Sequence, residues 1–216
     1  MSAPKGETAP DPRALGEKLN GILGLWGEAP LDEGLAGRFG AYTALLMRWN
    51  ARMNLTAVRD AEGILSRHMA ECVVFARLLP AGIDSLLDFG SGAGFPGIPV
   101  ALCRPEIAVM LAESQGKKAA FLQEAVRTLG LTARVHHGRA EDLGEQFGCV
   151  GLRAVDRMRE ALRMAAGLVR GGGCLAVLTT NSEREGVEGG AGAGFGWEAT
   201  GLPGSEGRIL LLGKRL

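Results

Sequence analysis

A run of alternating glycines after a short apolar segment constrains the fold more than any other feature of the chain. The stretch reads Leu86-Leu87-Asp88-Phe89-Gly90-Ser91-Gly92-Ala93-Gly94-Phe95-Pro96-Gly97. The apolar residues are typical of a buried parallel strand, and the glycines allow the backbone to turn sharply and to approach a ligand closely. Pro96 suits the first turn of a helix. Strand, glycine loop and helix in this order predict the first βαβ unit of a nucleotide-binding sheet.

The glycine spacing alone does not decide which ligand the loop accepts, because Gly92, Gly94 and Gly97 also match the dinucleotide fingerprint. Two details favour S-adenosylmethionine (SAM) over NAD. Asp88 ends the strand at the point where a carboxylate can take up the ammonium group of SAM. Pro96 removes a backbone donor from the helix start, where a pyrophosphate would need every N–H. NAD, another nucleotide and a purely structural glycine turn stay open as alternatives.

The composition is that of a folded domain rather than of a general nucleic-acid binder. The chain has 216 residues, of which 46% are hydrophobic, and its formal net charge is zero. These values allow a full core, and any RNA contact must come from a local basic face. No apolar run reaches the roughly 18 residues of a membrane helix. The four scattered cysteines predict buried free thiols and a cytoplasmic location.

The pattern of apolar residues divides the chain into three parts. Residues 1–12 are polar and rich in proline, and we expect them to form a flexible tail. Residues 13–80 predict a helical extension, with helices over 13–26 and 31–49, that packs on the main domain. Residues 81–216 predict the ligand-binding domain.

From residue 84 onward, strand and helix patterns alternate as in a doubly wound, mostly parallel sheet. The predicted strands cover residues 84–89, 107–112, 132–136, 149–152 and 174–179, and the predicted helices cover residues 96–104, 115–129 and 156–169. The glycines at 171–173 predict the end of the last of these helices. Residues 182–195 are rich in glycine and predict a mobile segment, and residues 196–212 predict an antiparallel hairpin. Such a terminal hairpin is typical of SAM-dependent methyltransferases, whereas NAD domains usually close with a sixth parallel strand.

Polar residues at the ends of the predicted strands form a candidate ligand site, because the carboxyl ends of parallel strands converge on one crevice. Glu113 ends the second strand, where an acid accepts hydrogen bonds from ribose hydroxyls. Ala140 and Glu141 follow the third strand, where a backbone N–H or a carboxylate reads the edge of a base. Arg153 ends the fourth strand and suits a ligand carboxylate or an RNA phosphate. The alternatives are a solvated charge at Glu113 and a helix cap at Glu141.

Basic residues elsewhere in the chain form a candidate RNA-contacting face, which takes in Arg48, Arg52, Arg59, Lys117, Lys118 and Arg157. Acids spaced among the arginines after the fourth strand allow an ordinary salt-bridged surface there. His68 lies beside Arg67 and suits a phosphate contact, and a capped or half-buried histidine is the alternative. The histidines and cysteines show no metal-ligand spacing, so we expect no metal site.

Several blocks of sequence resemble one protein family. They are Trp49-Asn50-x-x-x-Asn54-Leu55-Thr56-Ala57-x-Arg59-Asp60, Arg67-His68, Asp88-Phe89-Gly90-Ser91-Gly92-Ala93-Gly94-Phe95-Pro96-Gly97-Ile98-Pro99, Gly138-Arg139-Ala140-Glu141 and Leu202-Pro203-Gly204-Ser205. Together they resemble the RsmG family, also called glucose-inhibited division protein B, whose members are bacterial 16S ribosomal RNA guanine-N7 methyltransferases. The likeness runs from about residue 40 to the end of the chain. The Trp-Asn…Asn-Leu-Thr block is far more specific than the glycine loop.

The resemblance implies a Rossmann-like class I SAM-dependent methyltransferase that methylates N7 of a guanine and releases S-adenosylhomocysteine. At matching motif positions, Gly90 and Phe95 would line the SAM site, and Ala140 and Glu141 would lie beside the adenine. Arg153 would contact SAM or the target guanine. The substrate would be 16S rRNA or the small ribosomal subunit, and we expect a monomer that contacts no membrane.

The chain departs from the family pattern after three of its strands. It has Ala112-Glu113-Ser114 where the family usually has Leu-Asp-Ser, and Leu152-Arg153-Ala154 in place of Ser-Arg-Ala. It has Leu178-Thr179-Thr180 in place of Leu-Lys-Gly, so a lysine is missing. Two alternatives to the methyltransferase therefore stay open: an NAD-linked oxidoreductase, and a non-catalytic homologue that binds SAM or RNA.

Overall fold

The computed structural model describes residues 10–153 and 157–216, and its centre is a seven-stranded sheet. In chain order the strands are β1 (Ser85–Phe89), β2 (Ala108–Glu113), β3 (Arg134–His137), β4 (Phe147–Arg153), β5 (Val169–Thr180), β6 (Phe195–Gly201) and β7 (Arg208–Arg215). They lie side by side in the order β3-β2-β1-β4-β5-β7-β6. The first five pair in parallel, and β7 runs antiparallel to both of its neighbours. The predicted α/β sheet with a terminal antiparallel hairpin is confirmed, and its strand order reverses between β1 and β4, where such sheets open a ligand crevice.

Some helices come before the first strand and others lie between the strands, and together they cover both faces of the sheet. They are α1 (Pro12–Leu25), α2 (Glu33–Asn50), α3 (Ala61–Ile64), α4 (Glu71–Leu78), α5 (Gly97–Cys103), α6 (Gly116–Thr128), α7 (Met158–Leu168) and α8 (Arg184–Ala191). A π-helical turn over Leu65–Ala70 joins α3 to α4 without a break. Such turns are frequent at functional sites, and this one carries His68.

The helical segment before β1 shares a hydrophobic core with the sheet. Tyr42 of α2 and Phe75 of α4 are fully buried in the same cluster as Leu86 of β1. The hydroxyl of Tyr42 donates a hydrogen bond to the carbonyl of Ala93 in the glycine loop. The extension therefore supports the loop directly. The division of the chain at residue 80 into extension and main domain stays a prediction.

The glycine-rich segment after β5 is a helix, so the prediction of a mobile stretch over residues 182–195 was wrong. Val187 and Ala191 of α8 are buried in the same cluster as Leu162 of α7. A Cβ at Gly190 would lie 2.9 Å from Cδ1 of Leu162. Glycine therefore allows α8 to pack closely on α7, and this tertiary packing overrides its low helix propensity.

The glycines at 171–173 also differ from the prediction, because they lie inside β5 rather than at a helix end. The helix α7 already ends at Leu168, and β5 starts at Val169. The register between β4 and β5 shifts at this point. A Cβ at Gly173 would lie 2.7 Å from the carbonyl oxygen of Gly148 on β4. The glycines therefore allow the two strands to approach at an irregular step of the ladder.

The remaining predictions on the chain as a whole concern its ends, thiols and helices. Most of the predicted tail over residues 1–12 lies outside the described residues, and Pro12 already begins α1. The four cysteines are free, and three of them, Cys72, Cys149 and Cys174, are buried. Within the described ranges, no helix has the length and apolar character needed to span a membrane.

Candidate active site

Two adjoining pockets open at the carboxyl ends of the parallel strands, at the crevice that the topology indicates. The larger pocket, of about 530 Å³, is lined by the glycine loop, by residues 55–58 and by side chains that include His68 and Arg153. The smaller pocket, of about 270 Å³, is lined by the ends of β1 and β2, the turn after β3, and α7. Gly90, Glu113 and Ser114 line both. One elongated small molecule can therefore occupy the two pockets together.

Two glycines of the loop have different surroundings. Gly92 lines the larger pocket with φ at +55°, and a Cβ there would approach only the carbonyl oxygen of Gly90, at 3.9 Å. A Cβ at Gly94 would lie 2.5 Å from Cδ1 of Ile98. Gly92 therefore leaves a cradle open to a ligand, whereas Gly94, which is not among the pocket-lining residues, allows α5 to pack beneath the loop. Phe95 completes this wall of the larger pocket.

Asp88 lies beneath the glycine loop and lines neither pocket, and its contact with the cofactor stays a prediction. The residue is fully buried, and its Oδ2 accepts a hydrogen bond from the backbone N–H of Gly97 at 3.0 Å. Its Oδ1 has no hydrogen-bond partner among the described residues. Burial raises the pKa of this carboxyl to about 7, against the opposing effect of the Gly97 N–H. The side chain therefore braces the start of α5 through Gly97.

Glu113 lies at the junction of the two pockets. It is buried, and both of its carboxylate oxygens accept backbone N–H groups, from Gly92 at 2.9 Å and from Gln115 at 2.8 Å. These hydrogen bonds fix the carboxylate between the glycine loop and the start of α6. The alternative of a solvated strand-end charge is therefore wrong, and the position agrees with a contact to the middle of an elongated ligand.

The smaller pocket has apolar walls and an ionic rim. Ala140 is buried in the turn after β3, and Met164 of α7 lies on the opposite wall. Glu141 also lines the pocket, with its Oε1 at 2.9 Å from Nε of Arg139. Arg157, which the sequence suggested as an RNA contact, lines this pocket with an exposed side chain. The pocket therefore combines an apolar slot with hydrogen-bonding groups at its edge.

Arg153 lines the larger pocket and its guanidinium is held by several groups. Nη2 lies 2.9 Å from Oε2 of Glu71 and also donates to the carbonyl of Arg67. Nη1 donates to Sγ of Cys72 at 3.5 Å, and Cζ lies 5.6 Å from the centroid of the Phe95 ring. The side chain is only 7% exposed. Arg153 is therefore a fixed cation in the pocket wall rather than a mobile surface charge.

His68 is a neutral part of the same wall. Its Nε2 lies 2.8 Å from Oγ1 of Thr56, and its ring centroid lies 4.8 Å from that of Phe95. Burial and, next, the charge of Arg153 lower the pKa of the imidazole to about 3. His68 is therefore uncharged at neutral pH, so the predicted contact with an RNA phosphate, which stays a prediction, would be a hydrogen bond rather than an ion pair.

The other candidate RNA contacts are exposed residues that flank the lining of the larger pocket. Arg52 and Arg59 lie on either side of residues 55–58, Arg67 precedes His68, and Lys117 precedes the pocket-lining Lys118. Arg59 donates from Nη2 to Oδ1 of Asn54 at 2.7 Å. Arg48 instead pairs with Glu124 at 3.1 Å, as an ordinary surface ion pair. Contact of this face with RNA stays a prediction.

Sequence reasoning missed Glu71, which is 2% exposed and lies against two arginines. The first is Arg153, and the second is Arg208, the first residue of β7. The Nε of Arg208 lies 3.1 Å from Oε1 of Glu71. One signal was present in the sequence: Glu71 is a single acid in a run of apolar residues, which indicates a buried charge with a partner. Its partners were not visible, because they follow it by 82 and 137 positions.

The position of the missing lysine, Thr179, has a structural role in this chain. Its side chain is 6% exposed, and Oγ1 donates to Oε2 of Glu183 at 2.8 Å. Thr180 donates to the same oxygen at 3.1 Å. The two threonines therefore stabilise the turn that leads from β5 into α8.

The sheet order, the glycine loop after β1 and the acid at the end of β2 define a class I SAM-dependent methyltransferase fold. A methyltransferase from Pyrococcus furiosus aligns with a TM-score of 0.61 at 13% identity, over 82% of this chain and 95% of that one. A 16S rRNA N2 methyltransferase from T. thermophilus, solved with AdoMet and guanosine, aligns with a TM-score of 0.53 at 19% identity, over 67% and 41% of the two chains. At these identities the likeness shows the fold alone.

Sequence comparison identifies the family within this class. The GidB family model, described as rRNA small subunit methyltransferase G, matches residues 36–194. A ribosomal RNA small subunit methyltransferase G from Stenotrophomonas maltophilia is 43% identical over 151 residues, which are 68% of this chain and 70% of the relative. One from Xanthomonas campestris is 39% identical over 158 residues, 72% and 74% of the two chains. The chain belongs to this family, as its sequence blocks predicted, and the NAD-linked oxidoreductase is not favoured.

Proposed function

We propose that this protein methylates N7 of a guanine in bacterial 16S rRNA with SAM as the methyl donor. Bound SAM supplies a methyl group on a sulfonium, which is an activated leaving group. The proposal rests on membership of the rRNA small subunit methyltransferase G family. It is supported by the neutral state of His68 in the larger pocket, which suits an acceptor atom that loses no proton.

The two pockets fit the two ends of SAM. The methionine end would lie in the larger pocket against Gly92, where the missing Cβ leaves a cradle. The adenine would lie in the smaller pocket, with Ala140 and Glu141 at its edge. Glu113, at the junction, would accept hydrogen bonds from the ribose hydroxyls between them. This arrangement uses the predicted cofactor residues Gly90, Gly92, Phe95, Glu113, Ala140 and Glu141, with Asp88 and Gly94 as supports of the loop.

Among the described residues that line the larger pocket, none is a poised base, and this favours N7 over an exocyclic amine as the acceptor. Guanine N7 has a free lone pair, whereas an amine must lose a proton on methylation and needs a general base. Two described residues of this wall, His68 and Glu113, are candidates for that role. The pKa of His68 is near 3, and both oxygens of Glu113 already accept backbone N–H groups. His68 is therefore a poor acceptor for the proton of an amine at neutral pH, and Glu113 is held between the glycine loop and α6, where it would face the ribose.

Catalysis would then consist mainly of alignment. Transfer in line from sulfur to nitrogen gains most from holding the reacting atoms at the correct distance and angle. Arg153 would contact SAM or the target guanine, and its guanidinium is already fixed by Glu71 and Phe95. A donor that needs no reorganisation stabilises the reacting arrangement better than a mobile one.

The substrate would be 16S rRNA, either free or in a partly assembled small subunit. Because the net charge of the chain is zero, attraction to bulk RNA would be weak, and a structured target met by a local basic patch suits the protein better. Arg52, Arg59, Arg67 and Lys117 would supply that patch. We expect the enzyme to act as a monomer in the cytoplasm, where this substrate is made.

A methyl-transfer assay with identification of the product tests the proposal. The purified protein is incubated with SAM labelled in the methyl group and with undermethylated small subunits or naked 16S RNA. The RNA is then digested to nucleosides and separated. We expect the label in 7-methylguanosine, with a rate that is nearly independent of pH from about 6 to 9, because no proton leaves in the reaction.

Each other outcome contradicts a defined part of the proposal. Label in N2-methylguanosine would show that the acceptor is an amine. Binding of SAM in a calorimeter without transfer to either RNA would favour the non-catalytic homologue and direct attention to the lysine missing at Thr179. A failure to bind SAM would remove the cofactor assignment itself.

A further inference from the structure

Glu71 is a buried acid between two arginines that come from different strands. Oε2 lies 2.9 Å from Nη2 of Arg153 at the end of β4, and Oε1 lies 3.1 Å from Nε of Arg208 at the start of β7. The carboxylate itself is 2% exposed, whereas the side chain of Arg208 is 32% exposed. The acid thus connects the end of a parallel strand, the terminal hairpin and helix α4 at one point beneath the larger pocket.

The burial of this charge is unfavourable by itself. Burial raises the pKa of the Glu71 carboxyl, and the charges of Arg153, Arg208 and Arg67 oppose that shift. Buried ion pairs are often no more stabilising than apolar residues of the same size. Core stability therefore does not require an acid at this position. The two arginines and one acid leave a net positive charge beside the pocket, and its location depends on Glu71.

The contacts of Arg153 show what the acid controls. Arginine has several rotatable bonds, and a guanidinium at a pocket wall would otherwise sample many orientations. Here the carboxylate holds Nη2, while Sγ of Cys72 accepts from Nη1 and the ring of Phe95 lies against the guanidinium. Nη2 also donates to the carbonyl of Arg67. Of these four partners, Glu71 alone carries a full opposite charge. Its removal would release the strongest of the contacts that orient the cation.

We propose that Glu71 is a positioning residue, which fixes the guanidinium of Arg153 against Phe95 and so sets the cleft cation in place for methyl transfer. Glu71 does not line the larger pocket, so it acts through Arg153 and contacts neither SAM nor RNA. The inference deepens the proposed function and rests on it, because it assigns the position of Arg153 to a second residue.

The Glu71→Gln variant tests the proposal, because glutamine keeps the shape and one acceptor oxygen but removes the charge. We expect kcat to fall by about 10- to 100-fold, as displacement of a reacting or aligning group by about 1 Å commonly does. KM for RNA and the Kd for SAM should change by less than about threefold, because Glu71 itself contacts neither ligand and Arg153 stays in the pocket wall. Glu71→Asp, which restores the charge on a shorter stem, should recover part of kcat.

A double-mutant cycle separates positioning from a general structural role. In the Arg153→Ala background, Glu71→Gln should produce no further loss of kcat, because its effect passes through the arginine. Glu124→Gln is the matched control, since Glu124 also binds an arginine and a second donor, Arg48 and Trp49, but away from the pockets. It should leave kcat unchanged. A full kcat in Glu71→Gln, or an additive loss in the Arg153→Ala background, would overturn the proposal.

A spectroscopic measurement keeps the proposal testable even if the protein transfers no methyl group. The Nε–H signal of Arg153 is assigned by its loss in Arg153→Lys, and its order parameter is measured by NMR relaxation. In Glu71→Gln we expect the order parameter to fall into the flexible range, below about 0.6. An unchanged value would contradict the positioning role whatever the activity. Lack of transfer by the wild-type protein, in contrast, would contradict the proposed function alone.

Discussion

The two pockets of the cleft are built in different ways. The smaller pocket is made by the ends of β1 and β2, the turn after β3 and α7, with apolar walls and ionic side chains exposed at its rim. The larger pocket takes part of its wall from residues 55–58 and His68, which belong to the segment before the sheet. Its cation, Arg153, is nearly buried and is paired with the still more buried Glu71.

This difference indicates how each pocket responds to substitution. At the rim of the smaller pocket, water can replace a lost polar contact, so a change should affect ligand affinity modestly and stability very little. At the larger pocket, removal of Arg153 leaves the buried Glu71 with Arg208 as its remaining charged partner, so part of the compensation is lost, which is costly. Changes there should therefore reduce rate and stability together.

The glycine loop borders both pockets, and Gly92→Val should produce the largest effect. The side chain would fill the cradle, so we expect SAM affinity to fall by about 100-fold or more, equivalent to about 3 kcal/mol. Calorimetric titration with SAM measures this. The matched control is Gly130→Val, since Gly130 has φ at +59° and open space around its Cβ position, against +55° at Gly92. It carries the same backbone strain of about 1–2 kcal/mol and should bind SAM normally, whereas normal binding by Gly92→Val would exclude the loop as the cofactor site.

Arg153→Ala should give the second largest effect and should show the coupling of rate and stability. We expect methyl transfer to slow by about 100-fold. The free energy of unfolding should fall by about 2–3 kcal/mol, because Glu71 loses its closest partner in a buried site.

Single-turnover kinetics and urea unfolding measure the two quantities for Arg153→Ala. The control is Arg13→Ala, whose side chain is 76% exposed and pairs with Glu17. This exposed pair should contribute less than about 1 kcal/mol, without effect on rate. Unchanged turnover in Arg153→Ala would remove the arginine from the site, and unchanged stability would show that water already solvates Glu71.

The sequence was sufficient where one continuous stretch builds the structure. The loop from Gly90 to Gly97 and the acid at Glu113 follow buried strands directly, and parallel topology brings such strand ends together. Asp88 shows the limit of such local reasoning, because a carboxylate at a strand end can face the crevice or turn beneath the loop. Only the packing of α5 on the strand decides between them.

Long-range packing accounts for the features that the sequence did not reveal. Glu71 depends on β4 and β7, which approach α4 only in the folded protein. The helix α8 depends on α7, since Gly190 fits against Leu162 although glycine disfavours helices in isolation. Such features appear in the sequence only as exceptions, an acid in an apolar run or glycines in a polar one.

Asp88→Asn should have an intermediate effect, mainly on the pH dependence of stability. The carboxyl holds its proton more tightly in the folded than in the unfolded protein, since its pKa is about 7 rather than the usual 3.8. Stability from this group is therefore lost as pH rises from about 4 to about 7, and the loss is complete above that. Between pH 5 and pH 8 the variant should lose less stability than the wild type, by on the order of 2 kcal/mol.

Chemical unfolding at several pH values measures this difference, and SAM titration shows whether Asp88 also meets the cofactor. We expect the affinity of Asp88→Asn to stay within about threefold of the wild type, because the carboxylate does not line the pocket. A much larger loss would restore the direct contact with the ligand ammonium group. Asp84→Asn is the control, since Asp84 is exposed and its pKa is lowered by its hydrogen bond with Arg170. This variant should lose as much stability between pH 5 and pH 8 as the wild type.

Glu141→Ala should have the smallest effect and should test the smaller pocket alone. Glu141 is 33% exposed and pairs with Arg139 at the rim, so its contribution to SAM affinity should be about 0.5–1 kcal/mol, or roughly two- to fivefold in Kd. The free energy of unfolding and the rate with saturating SAM should stay unchanged, because no buried charge loses its partner. Asp142→Ala, which alters an exposed acid that does not line the pocket, should match the wild type in all three measurements. If Glu141→Ala instead lowered stability or the saturated rate as Arg153→Ala does, the two pockets would not differ in the way that their burial indicates.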